Sequence, residues 1–118
     1  MAAPNLITAT SIIGRTAVEW VTNSAQAVIT NAVMSNQSYR VNVLFLTNLT
    51  GNDVTVTVDI YRSSVSYKLF YNVPVNPGSP LVVIGKDTSI YLEEGDSLRL
   101  VASQAGTVQY CLSYEVMS

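Results

Sequence analysis

Apolar residues recur at every second position through most of the chain. Val54, Val56, Val58 and Ile60 share one side of an extended backbone, with Thr55, Thr57, Asp59 and Tyr61 on the other. That two-residue repeat is the mark of a half-buried strand. Tyr39, Val41, Val43 and Phe45 alternate in the same way against Arg40, Asn42, Leu44 and Leu46. Here the second side turns apolar halfway, which predicts a central strand partly covered on both faces. Val108, Tyr110 and Leu112 alternate against Gln109, Cys111 and Ser113. Further strands are predicted at 6–13, 16–21, 25–33, 67–73, 81–84, 89–92, 97–102 and 107–116, where β-branched and aromatic residues dominate. The one helical contender, 16–27, carries too many β-branched residues to be favoured as a helix.

Breaks fall at Gly14, Asn23-Ser24, 35–38, 48–53, 62–64, 76–80, 85–87, 94–96 and 103–106, each supplying the Gly, Pro, Asn, Asp or Ser that turns require. Pro74, Pro77 and Pro80 exclude a central strand at 75–80, which predicts a connection between two sheets. About eight to ten short strands at this spacing, without a helix, predict an all-β fold: an antiparallel β-sandwich of jelly-roll type. With no repeat or linker, 6–118 reads as a single domain. The preceding residues 1–5 are small, uncharged and interrupted by Pro4. They form an arm that either frays or docks on a neighbouring subunit. The start has no basic segment, which argues against a signal peptide, and no apolar run approaches the ~20 residues of a membrane helix.

Composition narrows the chemistry. The 118 residues contain no histidine and one cysteine, and only 12% are charged, with a net charge of −2. Soluble domains carry roughly 25% charged residues. Without histidine there is no Ser-His-Asp or Cys-His nucleophile pair and no imidazole metal ligand. A lone cysteine cannot form an intrachain disulfide or a multi-cysteine metal site. Cys111 therefore reads as a small apolar filler within a strand. Glu93, Glu94 and Asp96 form a carboxylate cluster that could take Ca²⁺ or act as a glycosidase pair. The favoured reading is a solvated hairpin turn, with Gly95 at positive φ and Asp96 bonded to local backbone amides. Asp53 and Asp59 read as a turn residue and an outward-facing strand residue. No catalytic residue, cofactor site or metal site is assigned. Six basic residues scattered over an acidic chain do not suit nucleic acid.

The candidate binding residues are aromatic and basic. Tyr61, Arg62, Tyr67, Lys68 and Tyr71 flank the loop 62–66, and tyrosine and arginine are the types enriched at interface hot spots. Together with the arm residues Ala2, Ala3, Pro4, Asn5 and Leu6 they make up the expected partner interface. The competing readings are a sugar-stacking platform and tyrosines that merely cap a sheet face. Strands 6–13, 25–33 and 81–84 contain no charged residue. Uncharged polar surface packs against a neighbour with less desolvation cost than charged surface, which favours an assembled protein over a freely diffusing enzyme.

The stretch Val73-Pro74-Val75-Asn76-Pro77-Gly78-Ser79-Pro80-Leu81-Val82-Val83-Ile84, followed by Lys86-Asp87-Thr88-Ser89-Ile90-Tyr91-Leu92-Glu93-Glu94-Gly95-Asp96-Ser97-Leu98-Arg99-Leu100, resembles small virion proteins of tailed bacteriophages, those of marine and cyanobacterial phages in particular. The segment 48–63, the start 1–5 and the close 113–118 share the likeness. The resemblance implies a non-enzymatic structural protein of the phage particle, with no catalytic residues to carry over. It points first to a capsid cement or decoration protein bridging major capsid subunits. A neck, tail or fibre component is the alternative, and a carbohydrate-binding module a more distant one. Implied partners are the major capsid protein or other virion proteins and further copies of the chain, with a trimer at capsid symmetry points as one arrangement. Neither nucleic acid nor membrane is expected as a partner, and the implied location is the particle exterior, after assembly in the host cytoplasm.

Overall fold

A computed structural model describes residues 10–118, with the backbone alone at Lys86. The arm residues named above lie outside the described residues. Nine strands follow in order: β1 (Ile12–Trp20), β2 (Gln26–Thr30), β3 (Ser38–Asn48), β4 (Val54–Arg62), β5 (Val65–Val75), β6 (Leu81–Ile84), β7 (Ile90–Leu92), β8 (Ser97–Ala102) and β9 (Val108–Met117), with a 3-10 turn at Lys86–Thr88. They form two antiparallel sheets. Sheet A runs β1-β9-β3-β6, with β7 continuing along β3 beside β6, and sheet B runs β2-β8-β4-β5.

The pairing has a simple logic. The outgoing strands β1, β2, β3 and β4 each find an antiparallel partner on the return path, in β9, β8, β6 with β7, and β5. The chain is thus one long hairpin, folded at the β4–β5 turn. Rolling it up adds the pairs β3–β9 and β4–β8 and closes the sandwich. This is the expected jelly roll. Its innermost turn is Ser63-Ser64, with φ of 52° and 62°. Both residues are left-handed, as a two-residue hairpin with the right twist requires, although neither is glycine. The proline-rich 76–80 carries the chain from β5 in sheet B to β6 in sheet A, as expected.

The core comes from the four central strands. Leu44 and Leu46 of β3, Val56 and Val58 of β4, Leu98 and Leu100 of β8, and Leu112 of β9 are all buried. Two expectations fail here. First, β3 does not keep one alternation. Its register with β9 slips between Val41 and Val43, so Tyr39 and Val41 face inward before the slip and Leu44 and Leu46 after it. The extra residue of a bulge reverses the phase. The halfway change on the second side reported that reversal, not a cover on both faces. Second, Gly14 breaks nothing: β1 runs through it in unbroken register with β9 from Ile12 to Trp20.

Candidate interaction surfaces

On sheet B, the register puts Thr57, Asp59 and Tyr61 of β4 on the outer face, with Arg99 of β8 and Lys68 of β5 beside Asp59. Asp59 faces outward as expected, yet it is only 4% exposed. Arg99 donates through Nε at 3.0 Å and Nη2 at 2.8 Å, Ser66 donates its hydroxyl, and the Lys68 ammonium lies 3.4 Å away. Burial alone would raise the Asp59 pKa. The bonds from Arg99 and Ser66 and the Arg99 charge overcome it and lower the value to about 2. The Arg99 guanidinium also sits over the Tyr61 ring, 4.1 Å from its centre.

The interface residues expected from sequence do not form one platform. Tyr61 is capped by Arg99, and Lys68 belongs to the Asp59 cluster. Tyr67 pairs with Ile60, on the side of sheet B opposite Lys68, and lines a shallow groove with Ile60 and Arg62 at the sandwich rim. Tyr71 is 67% exposed beside a bulge in β5. Arg62 reaches the turn just before β8, where it forms two bonds to Asp96 and one to Glu93. Those bonds, the one from Asp96 first, raise its pKa further.

The turn 93–96 also differs from expectation. It joins β7 of sheet A to β8 of sheet B, so it is a crossing between sheets and not a hairpin. Gly95 has the expected positive φ of 90°, and Asp96 accepts from the Glu93 amide at 2.9 Å. Asp96 is buried, with its carboxylate taken up by Arg62 and that amide. Glu94 accepts from the Asn36 amide. The neighbouring loop is held by buried Asn31, which donates to the Gln37 and Leu92 carbonyls and accepts from Ser35. The carboxylates of this turn thus lock two loops together, and no group of three metal-ligating side chains converges among the described residues.

Sheet A presents the opposite chemistry. Three successive cross-strand rows on its outer face are Thr16–Ser113–Val43, Val18–Cys111–Phe45–Val82 and Trp20–Gln109–Thr47. None of these positions is charged. Val18 is 68% exposed and Val82 59%, with Trp20 and Phe45 also exposed, and Cys111 lies half-buried between Val18 and Phe45. A shallow groove of about 380 Å³ opens beside Trp20, Phe45 and Cys111. Cys111 is therefore part of an outer surface, not the core filler expected from sequence. The charges of this face sit at its other end, where Glu115 accepts from Asn42 and Arg40 reaches Ser89. Sequence reasoning missed this patch because it assigned Phe45 to a covered side. The halfway change along β3 and the uncharged 81–84 were the signals that pointed to it.

No known protein family matches the chain, and no curated protein matches it in sequence. Among solved structures, it is similar to a chain from Bacillus endospore appendages, described as a novel family of disulfide-linked pili. The TM-score is 0.53 at 17% identity, covering 98% of this chain and 95% of that one. A chain of infectious bursal disease virus, Gt strain, aligns at a TM-score of 0.42 and 8% identity over 91% of this chain and 32% of that one. At these identities the likeness to the appendage subunit establishes a shared fold. The described residues form an all-β, two-sheet antiparallel sandwich of nine strands.

Proposed function

We propose that the protein is a non-enzymatic structural subunit of a tailed-phage particle, acting as a cement or decoration protein on the capsid exterior. The observation that carries this reading is the outer face of sheet A: three rows without a charge, with Val18, Trp20, Phe45 and Val82 left in water. Contiguous apolar surface on a small domain marks a contact with another protein. Uncharged neighbours such as Thr16, Thr47, Gln109 and Ser113 are cheap to desolvate around it. The face would lie across adjacent major capsid subunits and add contact area that holds the shell against internal pressure. The similar fold of a pilus subunit fits work as an assembled building block.

A run of subunits joined by disulfides needs at least two cysteines in each, and these 118 residues supply one, Cys111, enough for a single disulfide to one neighbour. Quantitative mass spectrometry of gradient-purified particles tests the proposal. A cement role gives hundreds of copies per particle, a neck or tail role gives the few copies of one or several rings, and absence of the protein overturns the virion reading.

A further inference from the structure

The outer edge of sheet A poses a separate question. Among the described residues, β1 pairs with β9 alone, and every residue in it except Ala17 is exposed. Ile12, Ile13, Val18 and Trp20 are the large apolar members, at 41–68% exposure. Long regular edge strands invite pairing with another chain, and proteins blunt them with bulges or short lengths. The other edges here are blunted. β5 carries two register shifts, β2 carries one, and the far edge of sheet A is divided between the short strands β6 and β7. Among the described edge strands, β1 is the long one that keeps an unbroken register, over nine residues.

Its backbone is poised for a partner. Ser11 and Val21 bond to Ser118 and Val108 in the β9 direction. By alternation, the odd-numbered residues of β1 face β9 and the even-numbered ones turn their N–H and C=O groups to the free edge. The Trp20 amide shows this directly, since it donates to its neighbour Glu19 at 3.2 Å and not to a strand. Arg15 and Glu19 lie on one face of β1, four positions apart, and neither forms an ion pair among the described residues.

We infer that β1 pairs antiparallel with β1 of a second copy, about a two-fold axis at Ala17. This register sets Arg15 opposite the partner's Glu19, and by symmetry Glu19 opposite the partner's Arg15. It brings the small Ala17 against the partner's Ala17, where no hydrogen bonds form and side chains come closest. It also sets Gly14 opposite the partner's Trp20. A side chain at Gly14 would meet nothing within its own chain, and its φ is ordinary, so the fold itself has no need of glycine there. A glycine across the ladder from an aromatic leaves room for the ring. The even-numbered pairs, 14 with 20 and 16 with 18, are then the hydrogen-bonded ones, as the orientation of the free edge demands. Neighbouring registers lose this match. An axis at Thr16 sets Glu19 against Ile13, and one at Arg15 sets like charges face to face, which is destabilising. The result is a self-complementary contact that joins two copies of sheet A into one continuous sheet, the isologous form of a dimer.

This inference concerns the isolated chain and does not depend on the virion reading. Light scattering coupled to size exclusion, on the full chain, tests it with two single variants. Wild type is expected at twice the 12.8 kDa chain mass. Arg15→Glu and Glu19→Arg each place like charges opposite one another at both pairs. Each is expected to raise the dimer dissociation constant by roughly ten- to a hundredfold. The double variant R15E/E19R restores both pairs and the dimer. So does an equimolar mixture of the two single variants, which forms the mixed dimer. Circular dichroism of each variant separates loss of pairing from loss of fold. A wild-type monomer, an oligomer indifferent to both single variants, or a mixture that stays monomeric while both variants are folded would each overturn the β1 contact.

Discussion

A few polar side chains have been drawn into the fold at positions where a sequence shows only scattered charge. Asp59 reads as an ordinary outward strand residue, yet Arg99, Ser66 and Lys68 enclose it. The sign of its pH effect follows from its lowered pKa of about 2. A carboxylate that ionises more readily in the folded state adds stability above the usual carboxylate range. That stability is lost as pH falls from about 4 towards about 2. Wild type is expected to lose on the order of 2 kcal/mol more than Asp59→Asn across this window, read from urea midpoints at successive pH values. An Asp59→Asn variant with the same acid sensitivity would remove Asp59 as the cause. Asn31 is the second such residue. Replacing it with Leu leaves the Gln37 and Leu92 carbonyls without their donor, at an expected cost of about 2–3 kcal/mol in denaturant unfolding. Neither arrangement could be seen in advance, because Arg99 lies 40 positions from Asp59 and Leu92 lies 61 from Asn31, and an alternation pattern carries no pairing information.

Strands, by contrast, were largely legible. The alternation in β4 and β9 and the proline-rich crossing at 76–80 follow from side-chain direction and from the missing proline amide, both local properties. What local reasoning missed were the places where one residue changes the phase or the partner. The slip in β3 near Asn42 exchanged the faces of Leu44 and Phe45, and Gly14 was read as a break because glycine weakens a strand without necessarily ending it. The phase of β3 has a direct check. Leu44→Ala is expected to cost about 3 kcal/mol, since Leu44 is fully buried, and Phe45→Ala less than about 1 kcal/mol. Equal costs in thermal or urea unfolding would mean that β3 has no bulge at this point. The turn 93–96 illustrates the same boundary. Its local geometry at Gly95 and Asp96 was readable, whereas its role as a crossing stapled by Arg62 depends on which sheet each flanking strand joins.

At the scale of the molecule, the two faces of the sandwich have separate characters. Sheet B spends its charges on itself, through Asp59, Lys68 and Arg99. Sheet A offers a broad uncharged surface, with Phe45 near its centre and an unblunted edge at β1. The low charge of the sequence foretold a surface of this kind but not its position. The interface residues chosen from tyrosine and arginine content fall mostly on sheet B and its rim, where several are already engaged within the chain. The central claim is that the outer face of sheet A is what holds this subunit in its particle. A Phe45→Arg variant tests it most directly, because it sets a charge in the middle of the apolar row without touching the core. The measurement is the amount of protein retained on gradient-purified particles, beside the melting temperature of the free chain. The expected result is an unchanged melting temperature with retention reduced at least about tenfold. Full retention of a folded Phe45→Arg protein would contradict the claim.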